Sequence, residues 1–263
     1  MSDLLRRDLA SGILRLTLDD PATRNSLSEA MLAALQAALD EAAADKAVRV
    51  IVIAATGPVF CSGHNLKEMT ARRAAPDKGA AYFATLFQTC ARLMLSITNH
   101  PRPVIAEVQG LASAAGCQLV ASCDLAIAAD TAGFCTPGVN IGLFCSTPMV
   151  ALARNVAAKH AMEMLLTGDV IPAPEAQRIG LVNRAVSPNR LGEEVDTLAR
   201  KIASKSQATL KTGKQAFYRQ RGMELEEAYA YTAQVMTENM LARDAEEGIA
   251  AFIGKRNPQW TDQ

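Results

Sequence analysis

The residues that could do chemistry gather at the start of a helix rather than in a cluster of charged side chains. Residues 103–108 (PVIAEV) form an apolar run typical of a buried strand, and Gly110 follows where a turn needs a residue without a Cβ. From Ala112 to Ala121 nearly every side chain is small, so a ligand or another backbone can approach closely. Unpaired N–H groups at a helix start suit a developing oxyanion. Tight packing in an α/β core accounts for the same residues equally well.

A second strand and glycine turn precede this unit. Val50 to Ala54 is another apolar run, and residues 56–69 (TGPVFCSGHNLKEM) follow it with a sharp turn at Gly63. The stretch F-C-S-G-H-N-L-K-E-M, which begins at Phe60, and the later pattern P-V-I-A-x-V-x-G-x-A-x-x-A-G-C-x-L together resemble the crotonase (enoyl-CoA hydratase/isomerase) superfamily. This resemblance favours the oxyanion interpretation.

The resemblance covers nearly the whole chain. PATRNSL (21–27), TGDVIPAPEAQRIGLVNRAV (167–186) and EGIAAFIGKRNPQW (247–260) resemble further patterns of the family. It implies an α/β fold, a crotonase-like spiral of ββα repeats with a C-terminal helical trimerisation region. Residues 1–195 are expected to form the acyl-CoA-binding core. Residues 196–263 are expected to hold together a homotrimer or a dimer of trimers.

The resemblance also implies the substrate and the catalytic groups. Family members bind an acyl-CoA thioester and stabilise its enolate with two backbone N–H groups, which fall here on His64 and Ala115. Coenzyme A is then part of the substrate, and no other cofactor is expected. The family's contacts to coenzyme A correspond to four positions, at which charged side chains suit phosphates but could equally be solvated surface charges: Arg24, Leu66, Lys67 and Lys255.

Two departures from the family pattern put hydration in doubt. Hydratases of the family use two glutamates, and this chain has Gln118 and Gly138 at those positions. A glutamine can hold a substrate or a water but cannot transfer a proton near neutral pH. The expected function is therefore an acyl-CoA enzyme of the hydratase/isomerase type that lacks both carboxylates. The alternatives are a decarboxylase similar to methylmalonyl-CoA decarboxylase, which needs no base for C–H abstraction, and a catalytically silent acyl-CoA-binding trimer.

A replacement base is not obvious in the sequence. Glu107 lies in the predicted core strand, where it is either a desolvated base or one half of a buried structural pair. The remaining candidates are better explained as loop, packing or turn residues: His100, Asn140, Cys145 and Ser146.

Composition excludes several classes of protein. The 263 residues include 27 Lys+Arg and 27 Asp+Glu, so no overall field favours nucleic acid or an anionic membrane. No apolar run approaches the roughly 20 residues of a bilayer span, and the N-terminus has no apolar signal region. These features predict a cytoplasmic enzyme. The six cysteines have no CxxC spacing, which predicts reduced core thiols and no metal site.

The remaining elements follow from local patterns. Ser26 and Glu29 fit a capping box before a helix that runs to Ala44, and Ser146 fits the N-cap of a later helix. The charged segment 70–78 is predicted to be a mobile loop over the pocket. After Arg190 only helix patterns occur.

Overall fold

The computed structural model describes residues 4–263. Ten strands lie in two sheets. In chain order they are β1 (Leu5–Ala10), β2 (Ile13–Leu18), β3 (Val50–Ala55), β4 (Val59–Cys61), β5 (Val104–Val108), β6 (Leu111–Ser113), β7 (Leu125–Ala129), β8 (Gly133–Cys135), β9 (Ile171–Pro172) and β10 (Arg184–Val186). The larger sheet has the order β1-β2-β3-β5-β7-β10, and the smaller has the order β4-β6-β8-β9.

Successive strand pairs build a spiral. Each of the pairs β3/β4, β5/β6 and β7/β8 gives its first strand to the larger sheet and its second to the smaller one. Neighbouring repeats pair in parallel, as Ile51 with Val104 and Ile105 with Leu125 show. The predicted α/β spiral is therefore confirmed.

Eleven α-helices accompany the sheets within residues 4–263. They are α1 (Glu29–Ala44), α2 (Leu66–Arg72), α3 (Ala80–Thr98), α4 (Ala115–Ser122), α5 (Ser146–Leu152), α6 (Ala158–Thr167), α7 (Ala173–Arg178), α8 (Leu191–Ala203), α9 (Gln207–Gln220), α10 (Leu225–Met240) and α11 (Arg243–Ile253). The last four confirm the all-helical tail.

Two predicted helix caps are wrong. Helix α1 is capped by Ser28, whose Oγ accepts the Met31 N–H at 3.2 Å. Ser26 instead lies in the preceding turn, where its hydroxyl bonds to Thr23 Oγ1. Ser146 is the first residue of α5 rather than its cap, and its hydroxyl bonds to the Phe144 carbonyl. In both cases the serine hydroxyl forms its hydrogen bond with a residue two or three positions earlier, in the turn before the helix.

Helix α3 corrects a second expectation. It has the length and composition of a helix that could cross a membrane, although the sequence predicted no such segment. The helix packs against α1 and α4, and five of its residues are buried: Leu86, Cys90, Leu93, Met94 and Ile97.

Segment 70–78 is held by specific contacts instead of lying free. Arg72 and Arg73 stack on Tyr82 and Phe83, with 4.9 and 5.5 Å from guanidinium carbon to ring centroid. The Asp77 carboxylate accepts two backbone N–H groups at the start of α3. These contacts tie the segment to α3.

Helix α8 covers one face of the larger sheet. Its residues Leu191, Val195 and Ala199 are buried, so the expected boundary at residue 195 falls in the middle of a core helix. The Arg15 guanidinium forms ion pairs with Glu107 of β5 and with Asp196 of α8. Glu107 is therefore one half of a structural ion pair.

All six cysteines are free and buried, as predicted for core thiols: Cys61, Cys90, Cys117, Cys123, Cys135 and Cys145. Burial raises the pKa of the Cys61 and Cys90 thiols to about 12. Burial also raises the pKa of the Cys145 thiol, which suits packing and not nucleophilic attack.

Candidate functional site

The glycine turn that precedes His64 lies close to the start of α4, where the second predicted donor, Ala115, is found. Gly63 has φ 88°, and a Cβ placed on it would stand 3.2 Å from the Ala115 nitrogen. The turn that leads into His64 therefore lies against the first N–H of α4. Neither the His64 N–H nor the Ala115 N–H donates a hydrogen bond to another of the described residues, 4–263. This arrangement leaves both donors available to a ligand.

The residue that aims one of these donors is strained. Ala114 has φ 50° and ψ −116°, a conformation that L-residues rarely adopt and that costs on the order of 1–3 kcal/mol. It is held by its N–H bond to the Cys135 carbonyl and by the Gln118 N–H, which donates to its own carbonyl. The sequence carried no signal for this strain.

The His64 side chain is half-buried and makes few polar contacts. Its Nδ1 lies 3.4 Å from the Leu27 carbonyl, and its Nε2 has no partner among residues 4–263. The ring meets Phe87 edge to face, with 5.6 Å between centroids. Burial lowers the pKa of His64, so the imidazole is neutral at pH 7. The role of the His64 backbone N–H stays a prediction.

Three of the four predicted coenzyme A contacts surround the His64 turn. The Arg24 carbonyl accepts the Ser62 N–H at 3.1 Å, which places Arg24 beside the turn. Leu66 and Lys67 are exposed at the first turn of α2, directly after it. Lys255 lies after α11 and forms no hydrogen bond or ion pair with them among the described residues. The coenzyme A roles of all four residues stay predictions.

Asn25 fixes the turn between Asp20 and Asn25, although the sequence did not single this residue out. Asn25 is fully buried at φ 53°, and its Nδ2 donates to the Thr56 and Val59 carbonyls at 2.8 Å each. Its Oδ1 accepts the Asp20 N–H. The signal was present in PATRNSL, since asparagine tolerates positive φ and bonds to nearby backbone.

Gln118 lies on the wall of a cavity of about 590 Å³ between α3, α4, α5 and α9. It is one helical turn from Ala115, its exposed fraction is 5%, and its Oε1 has no partner among residues 4–263. His64, Ala115 and Gly138 do not line this cavity, so it extends from Gln118 away from the two backbone donors.

Gly138 leaves no room for a side chain. It lies in the short 3-10 helix Pro137–Ile141, and a Cβ placed on it would stand 2.9 Å from Cys145 Sγ and nearer still to the Leu143 carbonyl oxygen. The loop thus leaves no space for a side chain at the position where the resemblance implies a glutamate in hydratases.

No replacement base lines the cavity. Its wall, within residues 4–263, contains no Asp or Glu and none of the candidates from the sequence: His100, Glu107, Asn140, Cys145 and Ser146. His100 is buried in a turn, where Nε2 lies 3.0 Å from the Leu39 carbonyl and Nδ1 accepts the Arg102 N–H. The turn assignment of His100 is confirmed.

A buried ion pair fixes α9 as one wall of the cavity. Lys214 Nζ lies 2.7 Å from Asp124 Oδ2 and also donates to the Ile97 and Arg102 carbonyls. The Tyr218 hydroxyl donates to the other Asp124 oxygen at 3.0 Å. Burial lowers the pKa of Lys214 and raises that of Tyr218.

Known proteins share this architecture and sequence. A family model described as enoyl-CoA hydratase/isomerase matches residues 8–263. The human protein named enoyl-CoA hydratase domain-containing protein 3, mitochondrial, is 51% identical over 96% of this chain and 82% of its own length. The 2,3-dehydroadipyl-CoA hydratase of Escherichia coli is 34% identical over 94% of each chain.

Solved structures agree. The crystal structure of an enoyl-CoA hydratase from Mycobacterium smegmatis superposes with a TM-score of 0.94 at 49% identity, over 98% of this chain and 99% of that one.

These comparisons overturn one prediction and show the family. The similar proteins of human, rat, mouse, Xenopus laevis and Danio rerio are all named mitochondrial, so the prediction of a cytoplasmic enzyme is wrong. That prediction rested on the absence of a recognisable leader, which is weak ground for a location. The match to the family model spans both sheets and the helical tail, and with it the chain belongs to the enoyl-CoA hydratase/isomerase family.

Proposed function

We propose that this protein binds an acyl-CoA thioester and stabilises its enolate with the backbone N–H groups of His64 and Ala115. The observation that supports the proposal is the close approach of Gly63 to the Ala115 nitrogen, together with the lack of a hydrogen-bond acceptor for the His64 and Ala115 N–H groups among residues 4–263. Such donors act on charge that develops on the thioester oxygen, and each contributes about 3 to 4 kcal/mol in other enzymes.

The cavity lining provides few groups that could transfer a proton to or from the substrate. Gln118 can accept or donate a hydrogen bond near the reacting carbons, but an amide does not exchange protons near pH 7. No carboxylate lines the cavity among residues 4–263. Efficient hydration of an enoyl-CoA by paired carboxylates is therefore not expected.

The lack of a carboxylate on the cavity wall among residues 4–263 also favours a second reaction. Loss of CO₂ from a malonyl-type thioester leaves an enolate without any base having removed a proton, so an oxyanion hole alone can support it. A cavity lining without carboxylates is therefore compatible with an acyl-CoA decarboxylase. A catalytically silent acyl-CoA-binding protein is the third possibility.

The arrangement around His64 supports the expected contacts to coenzyme A. The exposed side chains of Arg24 and Lys67 flank the turn and offer charge-assisted hydrogen bonds to phosphates. Lys255 is assigned the same role from the helical tail.

The helical tail supports assembly into a homotrimer or a dimer of trimers. Its apolar side chains are largely exposed, up to 85% for Phe252, which is typical of a surface that a second copy covers. The exposed set includes Phe217, Leu225, Tyr229, Met236, Met240, Leu241, Phe252 and Ile253.

Three measurements on the purified protein separate the functions. Calorimetric titration with hexanoyl-CoA and with free coenzyme A tests binding of the acyl group. Turnover of crotonyl-CoA and of methylmalonyl-CoA then tests hydration and decarboxylation. Binding with neither turnover identifies a silent binder, and the absence of any binding would refute the proposal.

A further inference from the structure

The cavity that begins at Gln118 has a defined direction. Helices α4 and α5 pack side by side, and the Asn155 Nδ2 donates to the Ala121 carbonyl at 2.8 Å, just beyond the C-terminal end of α5. Along α5 and just beyond it, the lining runs from Thr147 to Arg154, which are seven positions or about 10 Å apart. Among the α4 residues on the wall, Gln118 is the nearest in sequence to Ala115, so the cavity begins there on the side of the proposed donors.

Three arginines line the far end. Arg154 follows α5, while Arg219 and Arg221 lie at the end of α9. The Arg221 Nη2 donates to the Arg154 carbonyl, which brings the two residues together. Arg219 stacks on Tyr231 at 4.5 Å from guanidinium carbon to ring centroid. The far end is thus a cluster of guanidinium groups, which we call the arginine end.

These arginines have no anionic partner in the chain. None of the three forms a salt bridge with a carboxylate anywhere in residues 4–263, although nine other arginines do. The part of the cavity wall that the structure describes includes no Asp or Glu to offset them. A site with three cations and no anion favours an anionic ligand.

The wall between the two ends is largely apolar. Ala91, Met94 and Leu95 of α3 face Val150 and Ala151 of α5 across the cavity. A hydrocarbon chain can be buried there, since apolar groups gain about 25 cal/mol for each Å² removed from water. An apolar passage that ends in cations matches a chain whose far end is charged.

We infer that the acyl group of the substrate ends in a carboxylate, which the arginine end binds. The inference rests on the proposed function, because it assumes that the thioester is held at His64 and Ala115 while the acyl chain passes Gln118. Guanidinium groups suit this role, since their paired N–H donors match the two oxygens of a carboxylate. The substrate class is a coenzyme A monothioester of a dicarboxylic acid.

The first test compares two ligands that differ only at the far end. Adipyl-CoA and hexanoyl-CoA share coenzyme A and a six-carbon acyl chain. The expected result, by calorimetric titration of the full protein at low salt, is at least about tenfold tighter binding of adipyl-CoA. Higher salt should reduce that preference, because the arginine end is open to solvent. Equal affinity for the two ligands would overturn the inference.

The second test removes the arginine end. The double variant Arg154→Gln, Arg221→Gln should lose the preference for adipyl-CoA and bind hexanoyl-CoA within about twofold of the parent. Arg200→Gln is the matched control, since Arg200 is exposed on α8, makes no salt bridge and does not line the cavity. The preference should survive that change. Melting temperatures of all variants check the fold.

The outcomes distinguish the inference from the function on which it rests. If the double variant weakens both ligands equally, the arginines hold the coenzyme A phosphates, and the inference fails while the proposed function stands. If neither thioester binds the parent protein, the proposed function itself fails.

Discussion

Gly116 lies against the backbone of Cys61 with no space for a side chain. A Cβ placed on Gly116 would stand 2.8 Å from the Cys61 Cβ and nearer still to the Cys61 carbonyl oxygen. Cys61 ends β4 just before the turn that carries His64, and Gly116 is the second residue of α4, directly after Ala115. This close backbone approach holds together the two segments that carry the proposed donors.

Gly116→Ala is expected to destabilise the protein and separate the donors. The added methyl meets backbone, which cannot rotate away as a side chain can, so the free energy of unfolding should fall by about 1–3 kcal/mol. Acyl-CoA affinity should fall as well. Urea denaturation and titration with hexanoyl-CoA measure the two effects.

The matched control is Gly213→Ala in α9. Nothing lies within 4 Å of a Cβ placed there, and alanine is about 1 kcal/mol better than glycine inside a helix. Gly213→Ala should therefore raise stability and leave binding unchanged. A Gly116→Ala variant as stable as the Gly213→Ala variant would show that β4 and α4 are not pressed together.

The repeats of the spiral could be predicted because their strands are apolar runs. In β3 the residues from Val50 to Ala54 are all buried, and the sequence shows this directly. Strand β1 was missed because only Leu5 is buried and the next five residues are exposed, so no alternation of polar and apolar residues marks it. It forms because its backbone pairs with β2.

The candidate site was predictable only where it is local in sequence. Gly63 and His64 are neighbours in one turn, so the sequence alone predicts that turn. Arg154 and Arg221 lie 67 positions apart and meet only in the fold. The lack of space at Gly138 likewise depends on the position of the Leu143 carbonyl in the fold. The residue types in this loop do not determine that position.

His64→Pro and His64→Ala should differ sharply. Proline removes the N–H that we assign to the oxyanion, so acyl-CoA turnover should fall by about 10²- to 10³-fold. Alanine keeps the N–H and should retain most of the turnover, because we assign the role to the backbone and the half-buried imidazole has only a long contact, 3.4 Å, to the Leu27 carbonyl.

Steady-state kinetics with matched melting curves tests this pair of variants. If alanine proves as damaging as proline while both proteins remain folded, the imidazole takes part in the chemistry, and the backbone assignment is wrong.

The C-terminal tail should loosen in acid. Arg256 and the Gln259 N–H donate to Glu247 and lower its pKa from 4.5 to about 2. A carboxyl with a lowered pKa in the folded state adds stability that is fully present above about pH 4.5 and is lost as the pH falls towards 2. The pair is exposed, so salt should weaken the effect.

Melting temperatures of the parent and of Glu247→Gln, measured from pH 7 to pH 2, check this. The parent should be the more stable protein near neutral pH, and the two curves should converge in acid. A difference that stays constant across this range would mean that Glu247 does not titrate with the lowered pKa.

The last prediction concerns hydration. The resemblance implies two glutamates in the family's hydratases at the positions of Gln118 and Gly138. Crotonyl-CoA hydration should therefore be at least about 10³-fold slower than in a relative that has both, since each general acid or base contributes about 10²- to 10⁴-fold and the pair acts as a unit. Gln118→Glu alone should recover less than about 10²-fold, because its partner carboxylate is still missing. Gly138→Glu should not supply that partner, since its Cβ would collide with Leu143 and Cys145. Gly138→Ala tests the collision without a charge and should destabilise the protein to a similar degree. A parent that hydrates crotonyl-CoA within tenfold of a two-glutamate relative would show that another group transfers the proton.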